Sequence, residues 1–370
     1  MEPWRQRHDL ARLFSPPPAH DNEAAKCGEF EKGVIILYEL SQKTTAVLRW
    51  TAALCLGLVL CGGARAGAAE VTQRMLVPVG HTVGIKLFSR GILVVKLTEG
   101  GSPAKSCGLK TGDVIVECGG TAVTSTEQFQ SLLQKSGTAE TELEVRRNGS
   151  PVTLSVAPTE NENGTYFIGA WVRDSMAGIG TMTYYDPETG QFGALGHGIT
   201  DVDTALLMPF SSGSILPSTV KAVRRGAAGS AGELRGDFDL TTDLGDLTAN
   251  TASGVFGILE DSDYAAADAI PVGGAVVGPA VIRSNVEGDA VEEYAVEIIK
   301  LNPGAADGRD LVLSVTDQNL IRCTGGIVQG MSGSPIIQNG KIVGAVTHVL
   351  LNDPCKGYGI SMETMLAAAG

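Results

Sequence analysis

The stretch Gly325–His348, "GGIVQGMSGSPIIQNGKIVGAVTH", decides how the rest of the chain is read. Glycines crowd around Ser332, and an apolar run returns from Lys341 onward. As structure, this is a glycine-rich turn between two buried strands. As chemistry, it is a tight loop that presents a hydroxyl and free backbone N–H groups to a reacting carbonyl. A serine hydroxyl is a weak nucleophile until a base takes its proton, so the second reading needs a histidine from elsewhere in the chain.

There are 5 histidines. His8 and His20 precede an apolar segment, and His81 reads as a surface residue of the first domain. His197, in "GALGHGITD", and His348, in "GAVTHV", remain. Gly196 and Gly198 are expected to leave the His197 ring uncrowded at a turn, whereas His348 on its apolar strand reads as half-buried and structural. His197 is the favoured base. An acid should hold its far nitrogen; Asp201, Asp203 and Asp317 (in "SVTDQNLI") are candidates among which spacing alone does not choose.

Composition sets the frame. The 370 residues are too many for one ordinary core. Hydrophobic residues make up 43%, charged ones 19% and aromatics 5%, with 48 glycines, which predicts many short strands and turns. The net charge of −13 excludes nucleic-acid binding through the bulk surface. Residues 1–42 carry "SPPP" and no sustained periodicity, so they read as a non-globular extension; an over-called start would account for them equally. Residues 43–69 have the layout of an export segment: Lys43 and Arg49, an apolar run from Trp50 to Gly63, then small residues. It is either a cleaved signal or a retained membrane anchor.

Four cysteines lie beyond that segment: Cys107, Cys118, Cys323 and Cys355. The last two straddle the Ser332 loop, either bridged or as two thiols. No C-x-x-C pair exists, so no structural zinc site is expected. Asp237, Asp239 and Asp243 suggest a calcium loop, but Thr242 stands where an EF-hand needs glycine. Neither metal nor cofactor is expected.

Two domains follow. Residues 79–158 hold short strands, a helix capped by Ser125 with Gln128 three positions on, and an Asn148-Gly149 hairpin. With Ser102-Pro103-Ala104, Gly108-Leu109, Gly112-Asp113 and Ile115, this segment resembles a PDZ domain. That resemblance implies capture of a peptide as an added strand, with Thr82, Val83, Gly84 and Ile85 at the peptide-binding loop. Residues 165–370 show strand-like runs and no long amphipathic helix, an all-β domain.

Gly330-Met331-Ser332-Gly333-Ser334-Pro335 resembles the signature of trypsin-like serine peptidases. The resemblance implies a double β-barrel and an oxyanion hole formed by the N–H groups of Gly330 and Ser332. Met331 replaces the aspartate that receives a new N-terminus in trypsin-like zymogens, so activation by that ion pair is excluded. The whole arrangement, with "GHTVGIKLFSRGILVV", "GALGHGITD", "SVTD" and "GIVQGMSGSPI", resembles the stage IV sporulation protein B serine peptidases of endospore-forming bacteria. The family resemblance implies His197 as base, Asp317 as orienting acid and Ser332 as nucleophile. It also implies export into the space between forespore and mother cell, self-cleavage, and cutting of a membrane-bound regulator of an intramembrane protease that matures a sigma factor. Two rival readings are an envelope quality-control protease and a non-enzymatic PDZ scaffold.

Overall fold

The computed structural model describes residues 73–260, 262–305 and 308–370. The extension 1–42 and the export segment 43–69 lie outside the described residues. Among the described residues no helix is long and apolar enough to cross a membrane.

The chain enters through β1 (Met75–Pro78) and turns into β2 (Thr82–Leu97). One strand feeds two cores: Val83 and Ile85 pack into one apolar cluster, Ile92 and Val94 into another. The change of face falls at a bulge between Phe88 and Leu93. There Gly91 takes φ +83, with the Ile115 carbonyl 2.5 Å from where a Cβ would stand.

The second of those cores is the PDZ-like unit. It holds α1 (Pro103–Ser106), β3 (Val114–Cys118), β4 (Thr121–Ala122), α2 (Thr126–Ser136), β5 (Thr141–Arg147), β6 (Ser150–Val156), β7 (Thr159–Glu160) and β8 (Tyr166–Phe167). The local signals act as read. Ser125 Oγ accepts from Gln128 N at 3.1 Å, and Gly137 ends α2 at φ +59. Asn148 and Gly149, at φ 50 and 81, join β5 to β6. Phe129 and Leu133 of α2 are buried against Ile115, Leu143 and Val145. Buried Asp113 takes a two-pronged bond from Arg147, at 2.8 and 2.7 Å.

β9 (Ala170–Tyr185) then runs back beside β2 through both cores. It opens the first barrel, followed by β10 (Gln191–Ala194), β11 (Ser212–Arg224), β12 (Glu233–Phe238), β13 (Gly245–Thr251), β14 (Gly254–Leu259) and β15 (Ile270–Pro271). Strands β2, β11, β13, β14, β10 and β9 pair in a closed ring, all antiparallel. The second barrel closes on β16 (Gly278–Glu287), β17 (Ala290–Leu301), β18 (Leu311–Val315), β21 (Asp353–Ser361), β20 (Lys341–Leu350) and β19 (Pro335–Gln338). A helix α3 (Gln318–Thr324) precedes the Ser332 loop, and α4 (Met362–Ala369) ends the chain. Met362 and Met365 of α4 are buried with Tyr184 and Phe256 of the first barrel and Ile360 of the second.

The fold is thus mainly β, a PDZ domain joined to a double barrel. The boundary differs from the sequence expectation. Thr82–Phe88 are barrel residues, and the PDZ core takes in Ile168, with Ala170 and Val172 packed against it. The PDZ unit is inserted between the two long strands of the first barrel.

Candidate functional site

A cleft of ≈ 690 Å³ lies between the barrels. His197 and Ser332 both line it, as do Gly330, Thr347 and His348. His197 comes from the loop after β10 of the first barrel, and Ser332 from the loop between α3 and β19 of the second.

The Ser332 loop is held from both sides. Gly333 N donates to Val346 O at 2.8 Å within the second barrel. Thr181 of β9 reaches across from the first barrel: its N–H donates to Ser332 O at 3.0 Å, and its hydroxyl to Gly330 O at 2.7 Å. Met331 is fully buried in the second barrel's core. Among the described residues, no hydrogen bond engages the N–H of Gly330 or of Ser332. These two donors are available to an oxyanion. The Ser332 hydroxyl donates to Thr347 O at 2.6 Å.

His197 Nδ1 lies 2.9 Å from Gly198 O. A carbonyl only accepts, so the proton sits on Nδ1 and Nε2 keeps its lone pair. Burial pulls the His197 pKa below its ordinary 6.5, while the bond to Gly198 works weakly the other way. The ring is therefore neutral near pH 7, the state a base requires. The flanking glycines serve another purpose than the expected openness. A Cβ on Gly198 would stand 2.5 Å from Thr251 O and 2.3 Å from Leu207 Cδ1. They let the chain pass close to its neighbours. His348 is also at the cleft, its ring 5.1 Å from that of His197.

The candidate acids are elsewhere. Asp317 is the N-cap of α3: its Oδ1 accepts from Asn319 N at 2.8 Å and Leu320 N at 3.0 Å. Its Oδ2 faces Ala295 N at 3.4 Å. It does not line the cleft, and the structure does not bring it to His197. Asp201 is buried and accepts from Arg173 and Thr204, and Asp203 binds Arg173 at 2.9 Å. Burial raises the Asp201 carboxyl, but the Thr204 bonds and the Arg173 charge outweigh it and hold it low. Where a triad has a carboxylate, His197 has the Gly198 carbonyl.

The peptide-loop assignment is also corrected. Thr82, Val83, Gly84 and Ile85 pair with β9 on one edge, and on the other edge Val83–Ile85 pair with β11. Thr82 Oγ1 is bonded to Asn285 at 2.5 Å. No edge is open there to an added strand. The hydrophobic-Gly-hydrophobic loop of this PDZ unit is Phe167-Ile168-Gly169-Ala170, leading into β9 beside α2. Gln130 and Gln134 of α2 donate to Tyr166 O at 2.9 and 3.0 Å. Gly169 is at φ +77, and a Cβ there would meet Ser102 at 2.6 Å. The sequence carries this signal as "YFIGAWV", at the other end of the PDZ unit from Thr82–Ile85. The cysteines are free thiols: Cys323 is exposed, and the Cys355 sulfur lies 3.9 Å from Gly325 O. Of the three aspartates, Asp237 lies on β12, and Asp239 accepts from Thr241 and Thr242 in the turn that follows.

Known proteins resemble this chain in two parts. Residues 94–147 match a PDZ domain. Serine protease HTRA1 of Xenopus tropicalis is 39% identical over 61 residues, 16% of this chain and 13% of that protein. The chain thus spans only a small part of that relative's length. Among solved structures, the PDZ domain of the SdrC-like protein Lmo2051 from Listeria monocytogenes is 21% identical, covering 22% of this chain and 87% of its own, at a TM-score of 0.21. The Rv3671c protease in its inactive form is 13% identical, covering 52% of this chain and 84% of its own, at a TM-score of 0.30. Residues 164–366 match the SpoIVB peptidase S55. This match takes in more than half of the chain, His197 and Ser332 included, and by it the chain belongs to the SpoIVB peptidase S55 family.

Proposed function

We propose that the protein is a serine endopeptidase in which Ser332 attacks, His197 Nε2 takes its proton, and the N–H groups of Gly330 and Ser332 hold the oxyanion. The observation that carries this is the cleft shared by His197 and Ser332, with the imidazole proton fixed on Nδ1 by Gly198 O. The Ser332 hydroxyl must leave Thr347 O and turn to His197 as substrate enters. Attack on the scissile carbonyl gives a tetrahedral oxyanion, stabilised by two donors already in place. His197 then passes its proton to the leaving amine, and an acyl-enzyme remains on Ser332. Water, deprotonated by the same Nε2, releases it. One such oxyanion donor is worth ~3 kcal/mol of transition-state stabilisation.

The substrate is a polypeptide, and the PDZ unit offers it a second point of attachment. Family membership supports a sporulation setting: export into the space between forespore and mother cell, self-cleavage, and cutting of a membrane-bound regulator of sigma-factor processing. Residues 43–69 supply the export or anchor segment that this setting requires. A mass-spectrometric map of fragments from the purified protein and from Ser332→Ala tests the reading. The expected result is a set of self-cleavage products present in the first and absent in the second. Identical maps, with contaminating proteases excluded, would overturn it.

A further inference from the structure

The two long strands differ in what lies along their edges. From Thr82 to Phe88, β2 runs beside β9, and from Val83 to Phe88 β11 flanks it on its other side. β9 pairs with β2 from Ala170 to Thr181, and among the described residues its opposite edge carries no strand over that length. The bare edge has a defined end at each extremity. At one end is the Phe167–Ala170 loop of the PDZ unit. At the other, Thr181 turns its N–H away from β2 to Ser332 O, and its C=O to Leu195 N at 3.1 Å. Backbone groups of successive residues point to opposite edges, so their direction repeats every two residues. Ile179 and Ala177 therefore present theirs to the same open side, where the described residues offer them no partner. Met176, Ala177, Gly178 and Ile179 are themselves walls of the catalytic cleft.

We propose that this edge is a single track for the substrate, continuous from the catalytic serine to the PDZ loop, and that it sets the distance between the cut and the docked end. The inference rests on the peptidase reading above. The occupant is the extended segment of the substrate that follows the scissile bond. It adds antiparallel to β9, by main-chain hydrogen bonds that are indifferent to sequence. β9 runs from the PDZ loop towards Ser332, so an antiparallel guest runs from Ser332 towards the PDZ loop. Its C-terminus arrives beside Gly169 and α2, where backbone N–H groups of such a loop receive a carboxylate. A long bare strand edge is otherwise a liability for self-association, and here it opens directly onto the cleft. At about 3.3 Å per residue, Ala170 to Ile179 spans roughly 30 Å, so the guest needs about ten to twelve residues beyond the cut.

The test uses the purified protein with a random-sequence peptide library of fixed length, its cut positions read by mass spectrometry. Cuts are expected to be enriched about fivefold at ten to twelve residues from the C-terminus, an enrichment lost when the library is C-terminally amidated. Cuts spread evenly along the peptides would overturn the track. In parallel, hydrogen exchange of Ser332→Ala is followed with a long library peptide bound. Protection of both Trp171–Arg173 and Met176–Ile179 supports the track, and protection confined to the PDZ end overturns it. Both-ended protection without any cleavage by the parent protein would sink the peptidase reading and leave the track standing. No protection and no cleavage would remove both.

Discussion

The two barrels have the same strand number but not the same independence. The second closes on six strands of its own, contiguous in sequence from Gly278 to Ser361. The first closes only because β2 and β9, separated by the whole PDZ unit, come back together. In the proposed mechanism each contributes half of the chemistry: His197 from the first, Ser332 and the two oxyanion donors from the second. The halves are joined at the serine loop by Thr181. Thr181 of β9 binds the carbonyls of Gly330 and Ser332, and Gly333 packs so closely on Thr181 that a Cβ would stand 1.9 Å from its carbonyl oxygen. The PDZ unit is therefore tied, through β9, to the serine loop itself. A disturbance in either barrel should be felt in the other through this contact.

Removing either half should abolish turnover. Ser332→Ala leaves no nucleophile and His197→Ala no base, so each is expected to lower kcat by roughly a millionfold, the scale on which such residues act as a unit. The double variant should be no worse than either. If His197→Ala keeps substantial activity and His348→Ala does not, the base belongs to the second barrel, and the division of labour between barrels collapses.

The joint between the barrels can be strained without removing a reacting side chain. Gly333→Ala places a methyl at φ +99 against Thr181 O and, at 2.6 Å, Leu195 N. Neither backbone atom can step aside cheaply. Left-handed strain and overpacking together are expected to cost about 2–4 kcal/mol. Gly340→Ala, at φ +71 with nothing within 4 Å, supplies the control; it should cost about 1 kcal/mol. Equal midpoints in urea for the two variants would show that the barrels are not clamped at Gly333.

The pH dependence reads the first barrel's half alone. His197 must be neutral to act, and burial lowers its pKa below 6.5. Activity should be full above the ordinary histidine range and fall only as the pH drops through the lower folded value. Stability carries the same sign. The unfolded chain takes up the proton first, so the neutral native state loses stability as the pH falls below about 6.5. An acid limb of kcat/KM above the ordinary value would mean that a carboxylate, not Gly198 O, holds the ring.

Much of this was legible in the sequence because it rests on local chemistry. Ser125, Gly137 and Asn148-Gly149 specify a cap, a stop and a hairpin within a few residues, and each acts as read. The Ser332 loop is equally local. What failed depends on pairing at a distance. "TVGIKLF" and "YFIGAWV" both read as a glycine-interrupted strand entry, and nothing within either says which is sealed between two neighbours and which is open. The glycines beside His197 misled for the same reason: Thr251, whose carbonyl crowds Gly198, lies far along the chain. The two cysteines flank the catalytic loop in sequence, yet Cys323 is exposed on α3 and both remain thiols.

Asp317 gives the smallest and most discriminating effect. The family resemblance makes it the orienting acid, whereas its carboxylate here caps α3, the helix whose end at Gly325 leads into the serine loop. The two assignments separate cleanly. A lost cap costs about 1 kcal/mol, and asparagine caps nearly as well as aspartate. If capping is the whole of its work, Asp317→Ala should lower the urea midpoint and loosen the loop, with a modest fall in kcat. Asp317→Asn should restore most of both, and the acid limb of the pH profile should stay in place in either variant. If Asp317 instead reaches His197 during catalysis, Asp317→Asn should keep its stability, lose about ten-thousandfold in kcat and move the acid limb downward, because a negative partner that favours the imidazolium is gone. The direction of that limb, more than the size of the rate loss, decides whether the first barrel's histidine answers to a carboxylate of the second barrel or to its own backbone.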